Sequence, residues 1–217
     1  SVVRAGDGLM RPEPNERWVP LGPESLPEDP FAAFEAWFTE ATPLLREPEA
    51  ICIATADTSG QPRARMVLLR ARDSRGYCFF TNYESRKGRD LAENPRASLL
   101  WYAEPLGRQI RIEGTVEQLS AAESDAYFAS RPKGHQISAH ASDQSRPIDS
   151  RAALEEHLEE LEVTFVEGAV ARPAHWGGYR LVPTHFEFWQ HRTDRLHDRV
   201  VFEPDGVGGW SRARLQP

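Results

Sequence analysis

The apolar residues of the chain recur with two different periods, and each period predicts a type of secondary structure. From Asp29 to Phe38 the spacing is helical, with a candidate N-cap at Asp29 and proline at the first helical position. Further helices are predicted from Ser85 to Pro95, from a capping box at Ser120 to Pro132, and after Ser150.

The other apolar runs are short, rich in Ile, Val, Phe and Tyr, and bounded by turn sequences, which indicates β-strands. These strands are predicted at residues 51–56, 63–69, 77–81, 97–102 and 109–119. The last fifty residues return to strand patterns, with turns predicted at Gly177-Gly178, His191–Asp194 and Pro204–Gly209. Short loops between consecutive strands favour antiparallel pairing, so the sequence predicts a β-rich α+β fold, a barrel or sandwich with flanking helices.

Composition limits the classes of function. The 217 residues carry 26 basic and 33 acidic side chains, a net charge of -7, which argues against a general binder of nucleic acids or acidic membranes. No apolar run is long enough for a membrane span, the N-terminus lacks the apolar core of a signal peptide, and Cys52 and Cys78 lie in strand-like runs without a disulfide pattern. A cytoplasmic protein is predicted, with a flexible proline-rich arm at residues 1–28 and one domain at 29–217.

Two basic motifs are candidates for binding an anion. In Arg195-Leu196-His197-Asp198-Arg199, strand alternation would place Arg195, His197 and Arg199 on one face, as an anion site or as a solvated strand edge. The second motif, Ser85-Arg86-Lys87-Gly88, lies at a predicted helix N-terminus, where free N–H groups favour phosphate. An exposed helix start without a ligand explains the second motif equally well.

Two further patterns add cations, and several familiar motifs are missing. Tyr127 and Arg131 lie four residues apart on one helix, which makes a shared oxyanion contact possible and surface packing an alternative. The predicted strand at residues 63–70 carries three arginines, an unusual load. HExxH, GxSxG and GxGxxG motifs do not occur, so hydrolytic triads and metal catalysis are disfavoured.

Taken together, the motifs of the chain resemble the pyridoxine/pyridoxamine 5'-phosphate oxidase family from about Phe31 to Pro217. The resemblance is specific because many motifs occur in order: RMVLLR (65–70), FFTNYESRKG (79–88), NPRASLL (94–100), GRQIRIEG (107–114), YFASRP (127–132), DQSRPI (143–148), HWGGYRL (175–181), EFWQ (187–190) and RLHDR (195–199).

The resemblance implies an antiparallel FMN-binding split barrel that works as a homodimer, with FMN where the two subunits meet. It assigns the FMN phosphate and ribityl chain to Arg65, Arg86, Lys87, Gln144 and Ser145. It places around the flavin Met66, Val67, Leu68, Phe80, Thr81, Gln109, Trp189 and Arg199.

The implied reaction is hydride removal from pyridoxine or pyridoxamine 5'-phosphate, giving pyridoxal 5'-phosphate while O2 is reduced to H2O2. In this scheme Tyr127 and Arg131 bind the substrate phosphate. Arg195 and His197 cover the pyridine ring and act mainly as orienting and electrostatic groups.

Three positions depart from the family pattern and concern the substrate more than FMN. Arg70 stands where a phosphate-binding lysine is usual, His135 where a small hydroxyl residue is usual, and Ala103 where an aromatic residue is often found. One alternative is therefore a same-fold FMN oxidase of another aromatic intermediate, such as a phenazine precursor. Another is a non-catalytic module that binds flavin or pyridoxal phosphate.

Overall fold

The computed structural model describes residues 20–192 and 195–217. Its helices are α1 (Pro30–Ala41), α2 (Arg86–Glu93), α3 (Ala121–Ser130), α4 (Lys133–Ala141) and α5 (Arg151–Thr164). Its strands are β1 (Ala50–Ala56), β2 (Pro62–Leu68), β3 (Ala71–Asp73), β4 (Gly76–Asn82), β5 (Arg96–Ala103), β6 (Arg108–Gln118), β7 (Trp176–Gln190), β8 (Asp198–Pro204) and β9 (Trp210–Leu215).

The strands form one antiparallel sheet that curls into a partly closed barrel. The order is β2-β1-β5-β6-β7-β4-β3, and β8 and β9 extend the sheet from the far half of β7. Beyond the end of β2, the backbone N–H of Arg70 donates to the carbonyl of Cys78 on β4, so the first strand of the path approaches the far edge. The β-rich antiparallel architecture with flanking helices is confirmed.

Helix α1 closes one end of the barrel with an aromatic face. The Asp29 carboxylate caps the helix through the N–H of Phe31, with Pro30 in the first turn, as the sequence predicts. Phe34 lies 4.8 Å, centroid to centroid, from the ring of Tyr77, and Trp37 lies 5.2 Å from that of Phe188. These side chains join the main core, where each buried aromatic contributes about 1.5–3 kcal/mol.

The predicted turn at Gly177-Gly178 is wrong, because both residues lie inside β7, paired with β4. Their function is close packing. A Cβ on Gly177 would lie 2.0 Å from the hydroxyl oxygen of Tyr83, and one on Gly178 would lie 2.4 Å from Leu119 Cδ1. Glycine is therefore required here by the approach of neighbouring side chains.

The expectation that Arg195, His197 and Arg199 share one face of a strand is also wrong. β8 begins at Asp198, so the first two residues precede the strand, and Arg195 has a φ of 61°, in the left-handed region. A backbone in that region cannot continue the extended alternation on which the prediction depended.

Two elements, α4 and β3, were not predicted, and residues 1–19 lie outside the described residues. The predicted arm at 1–28 and the domain boundary at 29 stay predictions. The described end of that segment is packed: Leu21 and Leu26 are buried, and Arg212 donates to the carbonyls of Pro23 and Leu26. Within the described ranges, no helix has the length and apolar character to cross a membrane.

Candidate active site

A cleft of about 660 Å³ opens among β2, β4, α3 and α4. It brings together eleven residues that the family resemblance assigns to cofactor or substrate: Met66, Val67, Leu68, Arg70, Phe80, Thr81, Lys87, Tyr127, Arg131, His135 and Gln144. The remaining lining residues were not predicted: Asn82, Ser130, Pro132, Ser138, Ala139, Ser142 and Trp176. Several of these residues lie in α4 or at its ends, and the sequence did not predict α4, so it did not predict that they line the cleft.

Lys87 is a buried ammonium group without an acidic partner among the described residues. Its side chain is supplied by the first turn of α2, which Ser85 caps, and the residue is 8% exposed. Its Nζ donates to Thr81 Oγ1 at 2.7 Å, to Gln144 Oε1 at 2.6 Å and to Ser85 Oγ at 3.2 Å, all neutral acceptors. Burial, reinforced by the positive charge of Arg65, lowers the pKa of Lys87 to about 8.

A buried cation with neutral partners is suited to an anion that enters the site. Arg65 adds a second positive charge nearby: it donates to Thr55 Oγ1 at 2.8 Å and lies 3.8 Å from an Asp90 carboxylate oxygen. Burial lowers the pKa of Arg65, and the charge of Asp90 opposes that shift. The residues present therefore fit a phosphate group such as that of FMN.

Arg86 and Ser145 were assigned to the same phosphate, but neither lines the cleft. Both side chains are exposed, Arg86 at the start of α2 and Ser145 in the loop after α4. Ser145 has a φ of 73°, an unusual backbone conformation for a residue with a side chain. Their contact with the cofactor stays a prediction.

Arg131 is another cation of the cleft, and one of its nitrogens is buried without a partner among the described residues. It caps α3 at the C-terminus, and its guanidinium carbon lies 4.5 Å from the ring centroid of Trp176. Its Nη1 is buried without a hydrogen-bond partner in the described part of the chain. Burial lowers the pKa of Arg131, with a further contribution from the charge of Arg70. An incoming oxyanion would satisfy both the nitrogen and the charge.

An aromatic wall stands beside Arg131. The rings of Phe80 and Tyr127 are stacked with centroids 3.7 Å apart, and Trp176 is stacked on Phe80 at 5.7 Å. Tyr127 and Arg131 thus face the same cleft, as their spacing on the helix predicts.

The departures from the family pattern fall partly inside this cleft. Arg70 and His135 both line it and are exposed enough to meet a ligand. Ala103 is fully buried in the main core and does not line the cleft.

A second group of predicted residues lies at the opposite end of β7. Gln109, Trp189 and Arg199 are aligned across β6, β7 and β8 by the strand register. Trp176 of the cleft and Trp189 of this group are thirteen residues apart on one strand, about 40 Å along its path. One chain therefore does not assemble all the predicted residues into one pocket.

His197 belongs to the second group and is held by its neighbours. Its ring centroid lies 4.6 Å from that of Trp189 and 5.1 Å from that of His191. The backbone N–H of Arg192 donates to His197 Nδ1 at 3.0 Å, so in the neutral ring the proton is on Nε2. Burial first, then the charges of His191 and Arg195, lower the pKa of His197.

The next residue, Asp198, fastens this loop to the rest of the fold. Its carboxylate accepts from Arg192 Nε at 2.6 Å, from the N–H of Leu21 at 3.0 Å and from Arg214 Nη1 at 2.8 Å. The loop before β8, the N-terminal segment and β9 therefore converge on one side chain.

Comparison with known proteins identifies the family. Residues 39–165 match the family model described as pyridoxamine 5'-phosphate oxidase, and residues 176–217 match the pyridoxine 5'-phosphate oxidase C-terminal dimerisation region. A protein of Bordetella petrii named pyridoxine/pyridoxamine 5'-phosphate oxidase is 55% identical over 195 residues, 89% of this chain and 92% of that protein. A protein of Cupriavidus pinatubonensis with the same name is 52% identical over 91% of this chain and 93% of its own length.

Solved structures agree on the fold. PhzG from Burkholderia lata 383, solved with tetrahydrophenazine-1-carboxylic acid, has a TM-score of 0.84 and 36% identity and covers 90% of this chain and 96% of its own. A pyridoxamine 5'-phosphate oxidase-related, FMN-binding protein from Nostoc punctiforme has a TM-score of 0.71 at 16% identity, covering 88% of this chain and 100% of its own. The curled antiparallel sheet is thus the FMN-binding split barrel.

Proposed function

The chain belongs to the pyridoxamine 5'-phosphate oxidase family, and we propose on that basis that it oxidises pyridoxine or pyridoxamine 5'-phosphate to pyridoxal 5'-phosphate. It is an FMN-dependent oxidoreductase and works as a homodimer. The observation that carries the substrate proposal is Arg131, a guanidinium group with a buried, unpaired nitrogen in a cleft walled by aromatic rings. A planar aromatic ring that bears a phosphate matches both features.

Bound FMN supplies a hydride acceptor, with O2 as the final oxidant and H2O2 as the second product. We assign to the chain the binding and orientation of both molecules. Lys87 and Arg65 hold the FMN phosphate, and Arg131 and Tyr127 hold the substrate phosphate. Arg70 and His135 line the same cleft and add donors for the substrate phosphate.

His197 acts in this proposal as a neutral hydrogen-bond donor. The Arg192 N–H occupies Nδ1, so the Nε2–H is the group available to a substrate. Arg195 supplies positive charge beside it. Both residues orient the ring that reacts, a contribution that depends on placement more than on proton transfer.

We further propose that the subunit partner completes each site. Along β7 the cleft and the His197 group are too far apart for one small ligand to contact both in the same chain. The family model for residues 176–217, which span β7 to β9, is a dimerisation region. A homodimer can place the cleft of one chain against the His197 group of its partner. The cytoplasmic location predicted from the sequence stays a prediction.

The direct test is anaerobic reduction of the bound flavin by candidate substrates, followed by peroxide measurement in air. We expect pyridoxine and pyridoxamine 5'-phosphate to bleach the flavin absorbance and to yield one H2O2 per aldehyde. A flavin-loaded protein that neither substrate reduces would contradict the proposal.

A second candidate function is supported by the PhzG likeness, since that protein was solved with a tricyclic carboxylic acid. Oxidation of a reduced phenazine carboxylate, with pyridoxine 5'-phosphate inert in the same assay, would favour it. If neither substrate class reduces the flavin but the protein still binds pyridoxal phosphate, the protein is a binding module without turnover.

Mixing two inactive variants tests the shared site. We expect Lys87→Met and Arg199→Met each to be nearly inactive alone. In a hybrid dimer, one of the two composite sites would keep both native groups. The purified hybrid should therefore have about half of the wild-type activity per dimer, by two-fold symmetry. Coexpression with two different affinity tags and a kcat measurement on the purified hybrid checks this; a hybrid without activity would show that each site is built within one chain.

A change of pH tests the state of His197. Because its pKa is lowered, the ring stays neutral through pH 7 and becomes protonated only below the ordinary value of 6.5. We expect kcat/KM of the wild type to decline on the acidic side in that range, and His197→Asn to lower kcat/KM roughly tenfold at neutral pH.

The asparagine variant keeps an acceptor near the Arg192 N–H, so the loop is preserved. The substrate phosphate titrates near pH 6 in both proteins, at about its usual pKa, so the difference between the two pH profiles isolates His197. Identical profiles from pH 5 to 9 would argue against a neutral His197 donor.

A further inference from the structure

A buried carboxylate lies among the residues of the second group. Glu187 on β7 is 4% exposed and accepts hydrogen bonds from two arginines. Arg199 donates from Nε at 2.7 Å, and Arg111 donates from one of its terminal nitrogens to the other carboxylate oxygen. Arg111 also pairs with Glu113 two residues away on β6. The mechanism derived above uses neither Glu187 nor Arg111.

The sheet register places this carboxylate next to the proposed flavin contacts. Gln109 pairs with Trp189, which pairs with Arg199, while Arg111 pairs with Glu187 two residues further along the strands. Successive residues alternate between faces, so positions two apart on one strand share a face. Glu187 and Arg111 therefore lie on the same face as the flavin contacts, opposite the apolar core.

The contacts of Arg199 fix the plane and the direction of its guanidinium group. Nε is occupied by Glu187, and Nη1 donates to the backbone carbonyl of Gln216 at 3.0 Å. None of the described residues accepts a hydrogen bond from Nη2. With two nitrogens held by fixed acceptors, the third has a defined direction in which to meet a ligand.

We propose that Glu187, braced by Arg111, is a positioning residue that presents Arg199 Nη2 to FMN. The inference rests on the proposed role of Arg199 in cofactor binding and adds two residues that do not themselves touch FMN. The carboxylate limits the rotation of the guanidinium group, so the entropy of ordering Arg199 is lost on folding rather than on cofactor binding.

The electrostatics support a charged Glu187. Burial alone would raise its pKa, but the hydrogen bonds from Arg199 and Arg111 outweigh burial, and the pKa of Glu187 is lowered. The hydrogen bond between Arg199 and Glu187 is also the main cause of the raised pKa of Arg199. The Glu187 carboxylate and the Arg199 guanidinium group therefore stay ionised at neutral pH.

A double-mutant cycle on FMN affinity tests the proposal, using flavin-free full-length protein and quenching of flavin fluorescence. We expect Glu187→Gln to weaken FMN binding about tenfold, because the arginines bind different carboxylate oxygens and the NH2 group that replaces one of them cannot accept a hydrogen bond. In an Arg199→Met background the same substitution should change the Kd by less than about twofold, since Glu187 acts through Arg199. The visible absorption bands of bound FMN should shift in the same direction in Glu187→Gln and in Arg199→Met.

Glu113→Gln is the matched control, because Glu113 pairs with Arg111 but not with Arg199; its Kd should stay within about twofold of the wild type. Wild-type affinity in Glu187→Gln, or an equal loss in the Arg199→Met background, would overturn the proposal. Wild-type affinity in Arg199→Met would instead refute the assignment of Arg199 on which the proposal rests. Should Glu187→Gln not fold, Arg111→Met replaces it, with an expected loss of about threefold that an unchanged Kd would contradict.

Discussion

Replacing Lys87 with methionine is expected to weaken FMN binding roughly a hundredfold or more while making the flavin-free protein more stable. The buried ammonium has three neutral acceptors and no described acidic partner, so it is unfavourable until an anion arrives. A charge-assisted contact to a phosphate in such a site is worth several kcal/mol, which gives the expected loss of affinity.

The effect on stability has the opposite sign. A pKa lowered from 10.5 to about 8 means that the charged form is penalised in the folded chain. We therefore expect the free energy of unfolding of flavin-free Lys87→Met to exceed that of the wild type by on the order of 2 kcal/mol at pH 7. Thr81 keeps its 3.0 Å hydrogen bond to Gln144 in the variant, so the acceptors are not left entirely unpaired.

The linkage also predicts a pH dependence. Between the folded pKa of about 8 and the ordinary value of 10.5, the unfolded chain binds more protons than the folded one. The stability contribution of this group therefore rises with pH across that window, and the rise should be absent in Lys87→Met.

Urea unfolding of both flavin-free proteins from pH 7 to 10.5 measures the two stability effects, and a fluorescence titration with FMN measures affinity. The other lysine of the chain supplies the control: Lys133 is exposed and donates to the Val166 carbonyl, so Lys133→Met should leave FMN affinity unchanged. Undiminished FMN binding by Lys87→Met would refute the phosphate site.

Replacing Arg131 with methionine is expected to raise the KM for a phosphorylated substrate and lower kcat/KM roughly a thousandfold. Two charge-assisted hydrogen bonds, at about 1.5–3 kcal/mol each, account for that size. Because the phosphate does not react, its binding is the same in the ground state and the transition state, so the loss should fall on KM more than on kcat.

Arg131→Lys separates charge from shape. Lysine keeps the positive charge but loses the planar fork, and we expect it to recover part of the activity, to within about tenfold to a hundredfold of the wild type. FMN affinity should be unaffected in both variants. The ratio of kcat/KM for pyridoxine 5'-phosphate to that for unphosphorylated pyridoxine is the decisive measurement; an unchanged ratio in Arg131→Met would contradict a phosphate contact.

Much of this site was accessible from the sequence because its chemistry is carried by local motifs. The Ser85 cap predicts the start of α2, and the spacing of Tyr127 and Arg131 predicts that their side chains point to the same side of α3. The structure confirms the helix start and the shared side. The missed helix α4 begins directly after Pro132 without a side-chain cap, so it lacks the N-terminal sequence signal that predicted α2 and α3. Its residues complete the cleft only through tertiary packing.

The errors have a common physical origin. Gly177-Gly178 was assigned to a turn because glycine permits unusual backbone angles, whereas here it is the missing side chain that matters. The alternation expected around Arg195 assumed an unbroken strand. Whether two groups at opposite ends of a strand share a site depends on the partner subunit, which the periodicity of one chain does not encode.

The three contacts of Asp198 also have a consequence for the order of folding. The contact between its carboxylate and the N–H of Leu21 spans 177 residues of sequence. Closing so long a loop carries a large entropic penalty, and such contacts slow folding. The loop that carries His197 is therefore expected to become ordered late in folding, after the barrel has formed. During synthesis the FMN phosphate site around Lys87 would emerge first, and Arg195 and His197, proposed to orient the substrate ring, would become ordered only after Asp198 has been synthesised.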